Sequence, residues 1–156
     1  MKQAYRESFS LIERLHRQFL DVLRAELDRM GIDDINNVQS LILFNIGKDE
    51  LTVGELTARG YYLGTNVTYN LKKLVEHGYV DQVRSPRDRR SVRVNLSTKG
   101  LDLVTKLHTV FERHSAALEK VLSADELRKI NESLKKLERF WSNTHAFGAP
   151  ATEKAA

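Results

Sequence analysis

Apolar residues recur every three or four positions over most of the chain, which is the spacing of amphipathic helices. The pattern predicts a long helix over about residues 4–30 and a short one over about residues 38–46, each followed by a glycine. A third helix is predicted between Thr52, which begins a capping box with Glu55, and Gly60. Further helices are predicted over about residues 65–77, 101–122 and 127–141, the last after a second capping box of Ser123 and Glu126.

Two segments between the fourth and fifth predicted helices show a different pattern, in which apolar and polar residues alternate. These segments are residues 79–84 and 91–96, and the chain between them contains Pro86 and Asp88, which favour turns. The pattern therefore predicts a β-hairpin. The expected fold class is mainly α-helical with a small β-hairpin.

The pattern divides the chain into a compact middle, residues 35–97, and a flanking helical region formed by residues 4–31 and 98–147. The apolar faces of the flanking helices are wider than the small middle can cover, so we expect a second copy of the chain to cover them in a homodimer. A self-contained antiparallel bundle within one chain is the alternative. Residues 148–156 are small and polar and are expected to form a flexible tail. The candidate dimer-interface residues are Ile12, Leu15, Phe19, Leu118, Leu134 and Trp141.

The length of 156 residues fits about one domain, and the composition excludes several classes of protein. There is no cysteine, so disulfides, thiolate metal ligands and cysteine nucleophiles are excluded. The longest apolar run, residues 41–44, is too short to cross a membrane. The first residues are not followed by the apolar stretch of a secretory signal. We therefore expect a cytoplasmic protein with no membrane partner.

Basic residues are concentrated in the middle of the chain. Residues 59–99 contain nine lysines and arginines against three acidic residues, whereas the rest of the chain contains sixteen basic and eighteen acidic residues. This segregation is typical of a segment that binds a polyanion such as nucleic acid. A solvated charged surface is the alternative interpretation of the charge count.

The fourth predicted helix has two opposite faces, of which the apolar one carries Val67, Leu71, Leu74 and Val75. The other face combines short polar side chains, a tyrosine and lysines, which suits a helix that reads base edges in the DNA major groove and binds phosphates. Together with the short helix and the glycine-containing break before it, this helix predicts a helix-turn-helix. The candidate DNA-binding residues of this helix are Thr65, Asn66, Thr68, Tyr69, Asn70, Lys72 and Lys73.

The turn of the predicted hairpin is rich in arginine. Arginines at the tip of two strands can enter the minor groove, where narrow A·T-rich segments have a strong negative potential. Asp88 is either a turn former or a residue that orients a neighbouring arginine. The candidate DNA-binding residues of the hairpin are Arg84, Arg87, Asp88, Arg89 and Arg90.

The segment from about Val38 to Gly100 resembles the winged helix-turn-helix of the MarR family of bacterial transcription regulators. The resemblance lies in residues 63–80 (LGTNVTYNLKKLVEHGYV), in residues 88–90 (DRR) and in residues 92–100. The order of the flanking helices agrees over about residues 5–145. The resemblance implies a winged helix-turn-helix between N- and C-terminal dimerisation helices, and a homodimer on a pseudo-palindromic DNA operator. It also implies that Arg90 probes the minor groove beside Asp88.

The resemblance further implies regulation by a small molecule. Many members of the family release DNA when a small, often aromatic effector enters a crevice between the dimerisation helices and the DNA-binding lobe, so we expect a repressor of this kind. His16, Arg17 and Phe44 are candidate residues for such a crevice. Sensing of oxidants through cysteine is excluded because the chain contains none.

Other functions have less support in the sequence. His108 and Glu112 lie one turn apart near His114, but His108 shares an apolar stripe with Leu101 and Val104, which favours packing, and we expect no metal site. The chain has no HExxH motif and no glycine-rich phosphate loop, and no set of residues forms a credible catalytic triad, so we expect neither an enzyme nor a cofactor. The alternative function is a non-enzymatic ligand- or protein-binding helical module that uses the basic segment for an acidic partner.

Overall fold

The computed structural model describes residues 1–60, 64–84 and 92–147. Its helices and strands, in chain order, are α1 (Lys2–Arg29), α2 (Asn37–Ile46), β1 (Leu51–Thr52), α3 (Val53–Gly60), α4 (Gly64–Glu76), β2 (Val80–Arg84), β3 (Val92–Leu96), α5 (Thr98–Leu118) and α6 (Ala124–Phe147). The predicted order of helices and hairpin is confirmed, and so is the mainly α-helical fold class. The predicted tail, residues 148–156, lies outside the described residues.

Capping boxes begin three of these helices. At the start of α3, Glu55 N donates a hydrogen bond to Thr52 Oγ1 over 3.2 Å, and Thr52 N donates to Glu55 Oε2 over 2.7 Å. Ser123 and Glu126 form the same arrangement at the start of α6, as the sequence predicts. A third box begins α2. Because each box satisfies N–H groups that a helix leaves unpaired at its first turn, these side chains determine where the helices begin.

The predicted hairpin is part of a three-stranded antiparallel sheet with the strand order β1-β3-β2. β2 and β3 pair over their whole length, beginning with Val80 opposite Leu96. The sequence analysis missed β1, which pairs with β3 through Leu51 opposite Val94. Two residues are too few to show the alternation that identifies a strand, and the capping box of α3 overlaps them.

The described residues form two compact units, the first of residues 1–110 and the second beginning at residue 111. The core of the first unit joins the end of α1 to α2, α3, α4, the sheet and the first turns of α5. Asn37 Nδ2 donates a hydrogen bond to the Leu20 carbonyl oxygen over 2.9 Å, which attaches α2 to α1. The least exposed side chains of the core include Leu23, Leu27, Ile42, Leu43, Ile46, Leu56, Val67, Leu71, Leu74, Val80, Leu103 and Leu107.

Within the chain, helix α5 buries a face that shares only Val104 with the stripe singled out in the sequence. Leu101 and His108 of that stripe are exposed. The buried residues of α5 are Gly100, Leu103, Val104, Leu107 and Val110. Both sets repeat every three or four positions, so spacing alone does not distinguish the face that enters the core.

The second unit contains the end of α5 and helix α6. Large apolar side chains lie on its surface, among them Val121, Leu127, Ile130, Leu134 and Phe140. Trp141 is half-buried. No helix in the described part of the chain has both the length and the apolar character needed to cross a membrane.

The backbone approaches itself closely where α4 leads into β2 and where β3 leads into α5. Ser97 N donates a hydrogen bond to the Tyr79 carbonyl oxygen over 3.0 Å. A Cβ atom on Gly100 would lie only 2.2 Å from the same oxygen. Because a Cβ atom at this position would overlap the Tyr79 carbonyl group, glycine is required for the first turn of α5 to lie against the segment between α4 and β2.

We expect Gly100→Ala to lower the free energy of unfolding by about 1–3 kcal/mol, the usual effect of forcing an extra methyl group into a packed site. Gly54→Ala is the matched control, because the nearest atom to its added Cβ, Thr52 Oγ1, is 4.0 Å away. Alanine also favours a helix over glycine, so the control should be at least as stable as the parent. Urea denaturation followed by circular dichroism measures both variants. Equal stability of Gly100→Ala and the parent would contradict the close approach.

Candidate nucleic-acid interface

Helix α4 is held in the first unit by its apolar face. Val67, Leu71 and Leu74 are buried, and they belong to a core shared with α2, α3 and β2. The predicted apolar face of α4 is therefore confirmed for these three residues, whereas Val75, its fourth predicted member, is half-buried. Since a helix that buries one side leaves the opposite side in solvent, the core determines which residues of α4 a partner can reach.

The exposed face of α4 carries the polar residues named from the sequence. Asn66, Thr68 and Lys72 are exposed. Tyr69 is 63% exposed, a large accessible surface for an aromatic side chain. The side chain of Thr65 lies outside the described residues. An exposed tyrosine among short polar groups and a lysine offers hydrogen bonds, an apolar ring and positive charge on one helix face.

Two candidate residues of α4 have their polar groups engaged within the helix. Asn70 Nδ2 donates a hydrogen bond to the Asn66 carbonyl oxygen over 2.8 Å. Lys73 Nζ donates to Glu76 Oε2 over 2.9 Å. This hydrogen bond raises the pKa of Lys73 and lowers the pKa of Glu76. Asn70 and Lys73 are also half-buried, so they are less accessible to a partner than the exposed residues of the same face.

The arginine-rich turn between β2 and β3 lies outside the described residues. Arg87, Asp88, Arg89 and Arg90 are all in this segment, so their predicted contacts with DNA stay predictions. Arg84 ends β2, and its side chain is also outside the described part of the chain. The two strands that lead to the turn are paired in the register given above.

Two arginines of the basic segment pair with acidic residues outside it. Arg59 NH1 lies 2.7 Å from Asp49 Oδ2, and Arg93 Nε lies 2.5 Å from Glu50 Oε1. Both acidic residues lie in the turn that precedes β1. A paired arginine adds little to the field that attracts a polyanion, because the carboxylate beside it cancels the charge at a distance. The charge count along residues 59–99 missed these pairs because the partners are remote in sequence.

The candidate dimer residues lie on apolar surfaces of the single chain. In α1 only the last turns reach the core, and Leu15 is 58% exposed although it is a leucine. Phe19, Leu118 and Leu134 are exposed as well, whereas Ile12 and Trp141 are half-buried. Apolar faces of this length in solvent are typical of a protein–protein interface.

The three candidate effector residues have neighbours that the sequence does not indicate. Arg17 forms an ion pair with Glu13 one turn before it in α1. The Phe44 ring packs against the His108 ring, with centroids 4.8 Å apart. His16 is exposed. These contacts do not test a shared crevice, which stays a prediction. Among the described residues, no group of three histidine or acidic side chains is arranged to hold a metal ion.

Comparisons with known proteins agree with this arrangement. A family model described as the MarR family matches residues 33–91. The exopolysaccharide II synthesis transcriptional activator ExpG of Rhizobium meliloti (strain 1021) is 39% identical to the chain over 148 residues, which are 92% of this chain and 75% of that protein.

Two crystal structures of DNA complexes are similar to this fold. One is a mutant MarR from E. coli complexed with operator DNA, with a TM-score of 0.70, 28% identity, and coverage of 82% of this chain and 93% of that chain. The other is FabT of Streptococcus pneumoniae in complex with DNA, with a TM-score of 0.70, 26% identity, and coverage of 90% of this chain and 99% of that chain.

The fold and the exposed face of α4 thus define a DNA-binding transcription regulator of the winged helix-turn-helix class. Within that class, the chain belongs to the MarR family.

We expect Lys72→Met to reduce the slope of log affinity for duplex DNA against log salt by about 1, the change for one lost phosphate contact. Arg93→Met is the matched control with the same change of charge. It should leave the slope unchanged because the Arg93 guanidinium is engaged by Glu50 within the protein, so that its removal costs no phosphate contact. Fluorescence anisotropy of a labelled duplex over a series of salt concentrations measures both slopes. An equal loss of slope in the two variants would contradict the distinction between a paired and an accessible cation.

Proposed function

We propose that the chain is a homodimeric regulator that binds a pseudo-palindromic DNA operator in a sequence-specific manner. Two copies present the exposed faces of α4 to successive major grooves, about 34 Å apart along one side of the duplex. The observation that carries the proposal is the polar face of α4, exposed opposite a buried apolar face. The similarity to MarR and FabT chains that were crystallised with DNA supports DNA binding by this chain.

Direct readout of bases is assigned to the N-terminal half of α4. Thr65, Asn66 and Tyr69 are close to the end of the helix that enters the groove first, and an asparagine amide can pair with an adenine edge in two hydrogen bonds. The N-terminus of a helix also favours a phosphate. Lys72 supplies attraction to the phosphate backbone, which depends on salt and not on sequence.

The hairpin is the proposed second contact with DNA. Its arginines flank the operator, and Arg90 enters the minor groove, where a narrow A·T-rich segment concentrates negative potential. Asp88 orients a neighbouring arginine through a charge-assisted hydrogen bond. The pairing of β2 with β3 supports this proposal, because Arg84 and Val92, which flank residues 85–91 in the sequence, lie opposite each other.

Dimer formation is proposed to cover the apolar faces of the flanking helices. Leu15 and Phe19 on α1 and Leu134 on α6 are exposed in the single chain. Burying a leucine side chain completely contributes about 1.5–3 kcal/mol, so several such residues on each copy stabilise a permanent association. Closed two-fold symmetry then gives two identical DNA-binding lobes, which matches a palindromic operator.

Regulation by an effector is proposed to follow from linkage between two sites. A small, aromatic ligand releases DNA only if it binds more tightly to a dimer whose recognition helices are wrongly spaced for the operator. DNA must then weaken binding of the ligand by the same factor. His16, Arg17 and Phe44 are the proposed lining of the effector crevice, and the regulator acts in this scheme as a repressor.

Activation of transcription is the second candidate function. The observation that favours it is the 39% identity to ExpG, whose name describes a transcriptional activator. Repression and activation use the same operator-binding dimer and differ in what the bound dimer does to RNA polymerase. A reporter gene behind the protein's own upstream region separates them, because deletion of the regulator raises expression in the first case and lowers it in the second.

The proposed function is tested by a mobility-shift titration with duplex from the protein's own upstream region. We expect a steep loss of affinity with salt and a preference of about 10³-fold or more for a palindromic segment over scrambled duplex. A shallow slope, or no preference for any segment, would favour the alternative of a helical module that binds an acidic protein.

We expect Asn66→Ala to reduce discrimination between operator and scrambled duplex by about 1–3 kcal/mol, because a base contact is lost. Non-specific binding should change little, because no phosphate contact is lost. Competition titrations against scrambled duplex measure this effect. A proportional loss of affinity for both duplexes would contradict base readout.

We expect Arg90→Ala to weaken operator binding strongly while the dimer stays intact. Footprinting measures operator binding, and sedimentation of the free protein measures the dimer. A footprint of Arg90→Ala equal to that of the parent would contradict the wing contact.

We expect Leu134→Glu to convert the dimer to monomers, because two buried glutamates at a two-fold interface lose hydration without gaining partners. Ser133→Glu is the matched control, since it adds the same charge one position away on α6 at an exposed serine. Sedimentation velocity over a range of protein concentrations measures the association of both variants. A dimer of unchanged strength in Leu134→Glu would show that this face does not form the interface.

A further inference from the structure

Hydrogen bonds connect the segment that follows α4 to the start of α5. Ser97 Oγ donates a hydrogen bond to the Gly78 carbonyl oxygen over 2.6 Å, and Lys99 Nζ donates to the His77 carbonyl oxygen over 3.0 Å. Gly78 ends α4 with a φ of 75°, in the left-handed region. Two carbonyl groups that follow the end of α4 therefore accept hydrogen bonds from Ser97, just before α5, and from Lys99, in the first turn of α5.

A cluster of three side chains extends this attachment to the segment between α1 and α2. Tyr79 Oη donates a hydrogen bond to Asp34 Oδ1 over 2.8 Å, and Lys99 Nζ donates to Asp34 Oδ2 over 2.7 Å. The Lys99 ammonium also lies 4.0 Å from the centre of the Tyr79 ring, a cation–π contact. We call these three residues the Asp34 cluster.

The Asp34 cluster joins three separate parts of the fold. Asp34 is 45 residues from Tyr79 and 65 residues from Lys99 in the sequence. The pairs Lys106–Asp102 and Lys73–Glu76, by contrast, connect neighbouring turns of a single helix. Tyr79 is buried, so its hydroxyl needs a partner inside the protein, and a carboxylate is a stronger one than a neutral acceptor.

Charge and burial act on Asp34 in opposite directions. Partial burial raises the pKa of its carboxyl group. The hydrogen bonds from Lys99 and Tyr79 and the charge of Lys99 together lower the pKa by more than burial raises it, so the net shift is downward. The hydrogen bond to Asp34 raises the pKa of Lys99. Both groups therefore stay charged around neutral pH, and the contact between them persists.

We propose that the Asp34 cluster is a positioning element that sets the angle of α4 relative to α1 and α5, and through it the spacing of operator half-sites that the dimer accepts. This inference rests on the proposed function, in which two copies of α4 read two half-sites. Asp34, Tyr79 and Lys99 act in it through α4 and do not themselves read bases.

The length of α4 explains why contacts near its C-terminal end affect the position of its N-terminal end, which is proposed to bind DNA. The helix has 13 residues and is therefore about 20 Å long. A tilt of about 10° at the C-terminal end moves the N-terminal end by about 3 Å, which is as long as a hydrogen bond to a base. Lys99 belongs to α5, one of the flanking helices of the proposed dimer, so in that dimer a tilt of α4 relative to α5 changes the distance between the two recognition helices.

The test uses the full chain and a duplex that the parent selects from a random-sequence pool. Affinity is measured for this duplex and for versions whose two half-sites lie one base pair closer together or one base pair further apart. Tyr79→Phe removes only the hydroxyl group and keeps charge and ring. We expect it to reduce the preference for the selected spacing by about tenfold, the effect of losing one hydrogen bond to a charged group. Asp34→Asn should reduce the same preference.

Lys99→Met and Lys106→Met form a matched pair on α5, because their side chains are 49% and 54% exposed and each lysine pairs with a carboxylate at 2.7 Å. Both substitutions remove one positive charge, but only Lys99→Met should change the spacing preference. Thermal unfolding followed by circular dichroism shows the temperature range in which every variant is folded. A loss of stability alone lowers binding to all duplexes in proportion and leaves the spacing preference unchanged.

The outcomes distinguish this inference from the proposed function. If the parent selects a spaced, two-part duplex and the folded Tyr79→Phe and Asp34→Asn variants keep its spacing preference, the inference is overturned and the proposed function stands. If the parent selects no duplex, or selects single half-sites, the proposed function is overturned and the inference with it. A reduced spacing preference in both variants, with Lys106→Met equal to the parent, supports the positioning role.

Discussion

Burial of one face of α4 is the constraint on which the rest of the arrangement depends. Val67, Leu71 and Leu74 are almost completely removed from solvent, and each contributes about 1.5–3 kcal/mol to stability by that burial. Rotation of the helix about its axis would expose all three, so the helix is fixed in its rotation. The opposite face, with Asn66 and Tyr69, is held in solvent for the same reason. The proposed reading of DNA by this face therefore depends on the hydrophobic packing behind it.

The charges of the chain have two different structural roles. Arg59 and Arg93 pair with Asp49 and Glu50 and attach the turn before β1 to the helix and strand beside it. Lys72 lies on the solvent side of α4. A net positive segment is therefore only a first indication of a polyanion site, because the part of the charge that is paired within the protein stabilises local geometry and contributes little to attraction at a distance.

Local features of the fold were predictable from the sequence, and long-range features were not. The capping boxes of Thr52 and Ser123 act over three residues, so their sequence pattern is sufficient to locate the starts of α3 and α6. The two faces of α4 follow from helical periodicity. By contrast, β1 is too short to show a pattern. The residues of the Asp34 cluster are far apart in the sequence, and only the folding of the backbone brings them close together.

The central claim is that two copies of α4 read two half-sites of one duplex. Native mass spectrometry of the protein on a duplex that it selects, combined with hydroxyl-radical footprinting of the same complex, tests this claim most directly. The account predicts two chains per duplex and two protected segments about one helical turn apart. One chain per duplex, or protection spread evenly without a preferred sequence, would contradict it.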